Sequence, residues 1–134
     1  MLNGNFPVSL VFPFKARPKE RPRFGRGKTY TAKDTTLFEK AIGIVAMKSF
    51  SGPPSNEALH VVINFVFKRP KSTKRKYMTV RPDLDNLVKS VTDALNNILY
   101  TDDSQIVKLT IEKKYGIEEH ISLVAYELDS DSES

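Results

Sequence analysis

The sequence contains no cysteine and no tryptophan, and it has only two histidines among its 134 residues. Without cysteine, disulfide bonds, thiolate metal sites and cysteine nucleophiles are all excluded. No apolar run approaches the roughly 18 residues that a membrane-spanning helix needs. The N-terminal stretch MLNGNFPVSLVFPF lacks the charged region and the cleavage site of a secretory signal. We therefore expect a cytoplasmic protein with no membrane partner.

Two catalytic signatures are also missing. There is no G-x-x-x-x-G-K-[ST] loop, so no nucleotide cofactor is expected. There is no nucleophile elbow of the Ser/His/Asp hydrolases. His60 and His120 are isolated in the sequence, each near the start of a predicted strand, so neither is taken as a site residue.

Basic residues outnumber acidic ones, and the two are unevenly placed. The net charge is +5, yet the C-terminal ELDSDSES holds four acids and no base. The rest of the chain therefore has 21 basic residues against 12 of the 16 acidic ones. Such a basic body favours a polyanionic partner, and nucleic acid is the first candidate.

Hydrophobic periodicity divides the chain into strands and helices in the order β-α-β-α-β-β. The strands fall at 7–14, 58–70, 104–116 and 120–128, and the helices at 31–50 and about 84–97. The last two strands, joined by a short turn, indicate an antiparallel hairpin. The pattern predicts an α+β domain over residues 1–128, with two helices packed on a mixed, mostly four-stranded sheet, and a disordered acidic tail over 129–134.

Both helical segments show apolar residues at helical spacing. In the first segment the set is Leu37, Ala41, Ile44, Val45 and Phe50. In the second a stripe roughly 100° wide contains Leu84, Leu87, Val88, Val91, Leu95 and Ile98. The charged residues Asp85, Lys89 and Asp93 lie on a different side of the second helix, so its core face and its charged face are separated.

The segment RPDLDNLVKSVTDALNNILYTDDSQI, residues 81–106, concentrates acidic residues in this basic chain. Each has an ordinary structural interpretation. Asp83 can cap the helix with its carboxylate, and Asp85 can complement the helix dipole. Lys89 can pair with Asp85 four residues away. Asp102 and Asp103 can be turn residues.

Taken together, these acidic residues indicate a metal site. Nothing structural demands several carboxylates beside one lysine, whereas Mg²⁺ prefers carboxylate oxygens and completes its shell with water and substrate phosphate. A phosphodiesterase needs such an ion to polarise the phosphoryl group and to activate water. The adjacent Lys89 can hold a phosphate or stabilise developing negative charge.

Two basic segments flank the acidic one and supply the attraction for DNA that carboxylates alone would oppose. The first basic segment, residues 16–28, contains Arg17, Lys19, Arg21, Arg23, Arg26 and Lys28. The basic loop, residues 68–76, contains Lys68, Arg69, Lys71, Lys74, Arg75 and Lys76. We predict that these side chains bind the DNA backbone; the alternative for each segment is a solvated loop.

The ordered motifs of residues 81–116 resemble the signature of the RusA family of Holliday-junction resolvases. The shared features are D-x-D-N-x-x-K, a helix with D-A-L, and D-D-x-Q-[IV], preceded by a strand and the Lys/Arg/Pro-rich KARPKERPRFGRGKTY. The resemblance covers most of residues 8–128. It implies a homodimeric, Mg²⁺-dependent endonuclease (Mn²⁺ can substitute) that cuts four-way DNA junctions symmetrically in recombination and repair.

The resemblance also implies the site residues. The metal ligands would be Asp83, Asp85 and Asp103, and Lys89 would be the catalytic lysine. Asp102 is the alternative to Asp103, since it is the other half of the D-D pair. A helix over 84–97 is about 20 Å long, so Asp103 can only just reach back within one chain. A site completed across a dimer interface would relieve this constraint, and the sequence leaves both arrangements open.

Two other functions stay open at this point. One is a non-catalytic, structure-selective DNA- or RNA-binding protein whose carboxylates are caps and turn residues. The other is a nuclease that prefers flaps or replication forks to four-way junctions. The sequence does not separate the latter from a junction resolvase.

Overall fold

The computed structural model describes residues 4–19 and 30–129, and only the backbone of residues 30–33. Over these residues the elements are β1 (Val8–Phe12), α1 (Tyr30–Ser49), β2 (Ala58–Lys68), α2 (Leu84–Ala94), a 3₁₀ turn (Asp103–Gln105), β3 (Ile106–Gly116) and β4 (His120–Leu128). The predicted order β-α-β-α-β-β is confirmed. Neither described helix combines the length and apolar character that a bilayer span requires.

The four strands form one mixed sheet in the order β1-β4-β2-β3. Ile63 of β2 lies opposite Ile111 of the parallel β3 and opposite Leu123 of the antiparallel β4. The predicted hairpin between β3 and β4 is therefore wrong, because β2 lies between these strands. β2 suits this central place since it is buried along most of its length, whereas β3 is largely exposed at the edge.

A short connection, residues 117–119, crosses the end of β2 to join β3 to β4. The two strands are two spacings apart, about 9.6 Å, a distance that three extended residues can span. The crossing is tight at Gly116, where an added Cβ would overlap Val66 Cγ1 of β2. A glycine at this position therefore lets the chain pass close to β2.

The core lies between one face of the sheet and the two helices. Alternate strand residues such as Leu10, Ile63 and Leu123 are fully buried there. The helices contribute Phe38, Ile42 and Ala46 from α1, and Leu87, Val88 and Val91 from α2, followed by Leu95 just after α2. In contrast, Leu37 and Ile44 of the predicted apolar set of α1 are more than half exposed. The core stripe predicted for α2 is confirmed, with Leu84 and Ile98 partly buried at its ends.

The chain turns back immediately after α2. The helix ends at Ala94, three residues before the predicted end, and Leu95 is its C-cap. Asn97 adopts the left-handed conformation, with φ 66°. Tyr100 is fully buried, and its hydroxyl donates a hydrogen bond of 2.6 Å to the Thr92 carbonyl. This contact ties the returning chain to the last turn of α2 and brings the 3₁₀ turn beside it.

Candidate active site

Asp83 and Asp85 lie at the N-terminal end of α2. Asp83 occupies the N-cap position with extended backbone, but its side chain makes no capping hydrogen bond. The Leu87 amide instead donates to the Asp83 main-chain carbonyl, at 3.1 Å. Both carboxylates are exposed. The interpretation of Asp83 as a side-chain cap is therefore wrong, and its carboxylate is not used to close the helix.

At the opposite end of α2, the returning chain places Asp103 beside Asp93. Burial raises the pKa of the Asp103 carboxyl above its ordinary value, and a hydrogen bond with Asp93 and repulsion from that residue raise it further. The positive charge of Lys89 acts in the opposite direction. Lys89 Nζ lies 3.6 Å from Asp93 Oδ2. Within the described part of the chain, Lys89 therefore pairs with Asp93 and not with Asp85 as expected.

The two members of the D-D pair differ in their environments. The Asp102 carboxylate caps the 3₁₀ turn, accepting a 2.9 Å hydrogen bond from the Ser104 amide, while the Gln105 side chain binds the Asp102 amide. Hydrogen bonds from the Ser104 side chain and from the Ser104 amide lower the pKa of the exposed Asp102 carboxyl. Asp103 is half-buried and faces Asp93 and Lys89 instead. Asp102 thus has a structural task, whereas Asp103 belongs to a cluster of charged groups.

Lys19 extends this cluster toward α1. Its ammonium lies 2.6 Å from Glu39 Oε2 and 3.4 Å from Asp93 Oδ2. The Lys19 amide also donates to the Asn86 carbonyl at 2.9 Å, which fixes the start of the first basic segment against α2. Lys19, predicted to bind DNA, is therefore engaged by carboxylates of both helices.

The two groups of carboxylates are well separated within one chain. Asp85 and Asp93 are eight residues apart on one helix, which corresponds to about 12 Å along the axis. Ligands of one Mg²⁺ ion lie about 2.1 Å from it, so both ends of α2 cannot share an ion. Among the described residues, no group of three or more His, Asp or Glu side chains could hold a metal.

The basic loop is described in full, and it precedes α2 in the chain. The basic loop follows β2 and leads to α2, and all of its lysines and arginines are exposed. Arg69 lies over the Tyr115 ring, Lys76 lies over the Tyr77 ring, and Arg75 Nη1 donates to Thr79 Oγ1 at 2.5 Å. Arg21, Arg23, Arg26 and Lys28 lie outside the described residues.

A cleft with a volume of about 630 Å³ opens beside Asp83. Four cationic residues contribute to its lining, namely Lys15, Arg17, Lys19 and Arg81. Asp83 and Asn86 complete its polar lining, and Phe67 lines its apolar part. Arg17 of the first basic segment thereby shares the cleft with Asp83, whereas the Lys19 ammonium reaches along α2 to Asp93.

Two residues of the cluster were not predicted as site residues. The helical period places Asp93 on the charged side of α2, eight residues after Asp85, but its closeness to Asp103 depends on the turn after the helix. Glu39 belongs to α1 and meets Lys19 only through the packing of the two helices. The helical spacing that groups Asp93 with Asp85 and Lys89 could have identified Asp93 as a site residue. No pattern in the sequence identifies Glu39 in the same way.

Comparison with known proteins agrees with the motifs. The family model of endodeoxyribonuclease RusA matches residues 13–124. The uncharacterized protein YqaN of Bacillus subtilis (strain 168) is 30% identical over 128 residues, which cover 87% of this chain and 90% of that protein. The residues matched by the family model include both ends of α2, the basic loop and the D-D pair. The chain therefore belongs to the RusA family of endodeoxyribonucleases.

Proposed function

We propose that this protein is a Mg²⁺-dependent endonuclease that resolves four-way DNA junctions by paired, symmetric cuts, acting as a homodimer in recombination and repair. The observation that carries the proposal is the half-buried Asp93–Asp103 pair beside Lys89. The family supports DNA as the substrate. The exposed basic loop and the cationic cleft beside Asp83 support a large contact with DNA phosphates.

The chemistry of the carboxylates fits a divalent cation. Two neighbouring acids with a raised pKa at Asp103 form an arrangement that a cation would stabilise, because it removes their repulsion. Mg²⁺ is commonly bound by only one or two carboxylates, together with waters and substrate phosphates. Asp103 and Asp93 would hold it at one end of α2, and Asp83 and Asp85 would contribute from the other. Mn²⁺ has the same preference for oxygen ligands and can substitute.

A homodimer would bring the two groups of carboxylates together. If the α2 helices of two protomers lie antiparallel across a twofold axis, Asp83 and Asp85 of one protomer lie beside Asp93 and Asp103 of the other. The separation of about 12 Å within one chain supports this arrangement over a site built from one chain. A twofold axis would also place two equivalent sites at the two strands that must be cut.

The bound Mg²⁺ would supply Lewis-acid polarisation of the scissile phosphodiester. Water attacks the phosphorus in line with the leaving 3′ oxygen, and the P–O3′ bond breaks. The water gives its OH to the phosphorus and its remaining proton to the 3′ oxygen, which leaves 5′-phosphate and 3′-hydroxyl ends. The exposed Lys89 ammonium stabilises the negative charge that develops on the phosphoryl oxygens. The basic loop and Arg17 hold the junction arms through their phosphates.

The proposal is tested by a nicking assay on a labelled four-way junction with Mg²⁺, comparing the wild type with Asp85→Asn. We expect paired symmetric cuts by the wild type, and junction binding without cuts by the variant. If the wild type binds the junction but cuts nothing over a range of pH and divalent metals, the protein is a non-catalytic binding module. Faster cutting of flaps or forks than of four-way junctions would assign a different branched substrate.

A further inference from the structure

One lysine of β3 occupies a position where the fold places apolar side chains. Lys113 lies opposite Phe65 of β2, which is fully buried on the helix-facing side of the sheet. The residues before and after it on that side of β3 are Ile111 and Tyr115, both packed against the core. Lys113 itself is half-buried. A cationic side chain at this position requires polar partners, because burying an ammonium is otherwise unfavourable.

Those partners are two main-chain carbonyls of the segment that enters α2. Lys113 Nζ donates hydrogen bonds of 2.7 Å to the Val80 carbonyl and 2.9 Å to the Pro82 carbonyl. The bonds therefore fix the backbone on both sides of Arg81, immediately before Asp83. Pro82 has no N–H group, so this stretch has few main-chain donors of its own. Met78, buried in the core, is the next anchor upstream.

Stabilisation of α2 does not explain why the Lys113 ammonium lies near the N-terminus of this helix. The N-terminus of a helix carries a partial positive charge, which disfavours a nearby cation. A neutral donor would satisfy the two carbonyls without that repulsion. Asp83 and Asp85 stand at this same end of α2, directly after the segment that Lys113 holds. Asp83 also lacks a capping hydrogen bond among the described residues, so the direction of its side chain depends on how the preceding backbone is held.

We propose that Lys113 is a positioning residue for the phosphodiester hydrolysis, a role that rests on the proposed function. By holding the Val80 and Pro82 carbonyls, Lys113 fixes the backbone from which the Asp83 carboxylate projects. It acts on the reaction through Asp83 and has no direct contact with the scissile phosphate. Groups that orient metal ligands in this way commonly change metal affinity or activity by about 10- to 100-fold when removed.

The test compares Lys113→Met with Lys114→Met, a matched control on the same strand. Lys114 is exposed on the opposite face of the sheet and pairs only with Glu112 among the described residues, at 3.6 Å. We expect Lys113→Met to lower kcat by about 10- to 100-fold, to raise the Mg²⁺ concentration needed for half-maximal cutting, and to leave KM for the junction unchanged. Lys114→Met should change none of these. Lys113→Arg keeps the charge and the donors and should recover part of the rate.

Amide hydrogen exchange without metal or DNA supplies a readout that does not depend on activity. In Lys113→Met, exchange should accelerate in residues 79–85 and stay unchanged in β2 and β4. The inference is overturned if the variant cuts junctions at the wild-type rate, or if exchange rises throughout the sheet in proportion to the fall in activity. A raised KM with unchanged kcat and a weaker salt dependence would also overturn it, because Lys113 would then bind a phosphate directly. If the wild type cuts no branched DNA, the proposed function fails, and local exchange still decides whether Lys113 holds this segment.

Discussion

Two inactive variants should restore cutting to each other when their subunits mix. Asp85 lies at one end of α2, and Asp103 lies beside Asp93 at the other. If each site combines one end from each protomer, a mixed dimer of Asp85→Asn and Asp103→Asn has one site that lacks both carboxylates. Its second site is intact. In each variant alone, every site lacks one carboxylate, so both homodimers should be inactive.

The size of the recovery follows from the symmetry. Random exchange of equal amounts of the two variants makes about half of all dimers mixed, and each mixed dimer has one working site of two. The mixture should therefore nick at about one quarter of the wild-type rate per protomer. A mixed dimer cannot make paired cuts, so a plasmid with an extruded cruciform should yield nicked circles, whereas the wild type should yield linear molecules.

The control is a mixture of Asp83→Asn with Asp85→Asn. These substitutions remove carboxylates from the same end of α2, so every site in the mixed dimer lacks one ligand and the mixture should stay inactive. Subunit exchange is verified by co-purification of differently tagged chains. If exchange is complete and the Asp85→Asn and Asp103→Asn mixture is no more active than either variant alone, the crossed arrangement is refuted.

Three further outcomes are expected. Alanine at residues 74–76 should weaken junction binding and reduce the slope of log affinity against log salt by about 0.9 for each DNA phosphate that the variant no longer neutralises; an unchanged slope would remove the basic loop from the interface. Asp103→Asn should stabilise the metal-free protein at neutral pH by less than about 1 kcal/mol, since solvent screens the carboxyl. Folding raises the pKa of Asp103 above its ordinary value of 3.8, so the wild type loses stability as the pH rises through the folded-state pKa. Well below pH 3.8, wild type and Asp103→Asn should have the same free energy of unfolding in urea. Leu87→Ala should lower the free energy of unfolding by about 2–5 kcal/mol, whereas Leu37→Ala, at a side chain that is 57% exposed, should change it by less than about 0.5 kcal/mol; equal decreases in urea unfolding would contradict the burial of Leu87.

Much of the fold could be predicted because it depends on local periodicity. The order of elements and the core stripe of α2 follow from the spacing of residues such as Leu87, Val91 and Leu95, which is independent of the rest of the chain. The hairpin of β3 with β4 was predicted from their closeness in sequence alone. Strand adjacency depends instead on which strand is buried along its length, and β2 meets that condition better than β3.

The helical apolar set of α1 shows a second limit of periodicity. Leu37 and Ile44 have the spacing of a core face, yet they are exposed, while Phe38, Ile42 and Ala46 are buried. An apolar helix has more than one set of residues at this spacing, and the sheet decides which set it covers. The period of α2 was decisive because charged residues occupy its other side.

The chemical groups of the site can be read from the order of residues alone: the carboxylates at both ends of α2, Lys89 on its charged side, and the basic segments that flank them. How those groups pair depends on the folded domain. The burial of Tyr100 turns the chain back after α2 and places Asp103 beside Asp93, and the register of β3 places Lys113 under the Val80 and Pro82 carbonyls. These pairings join residues distant in sequence, so they depend on packing of the whole domain, whereas the type and spacing of the side chains are local properties.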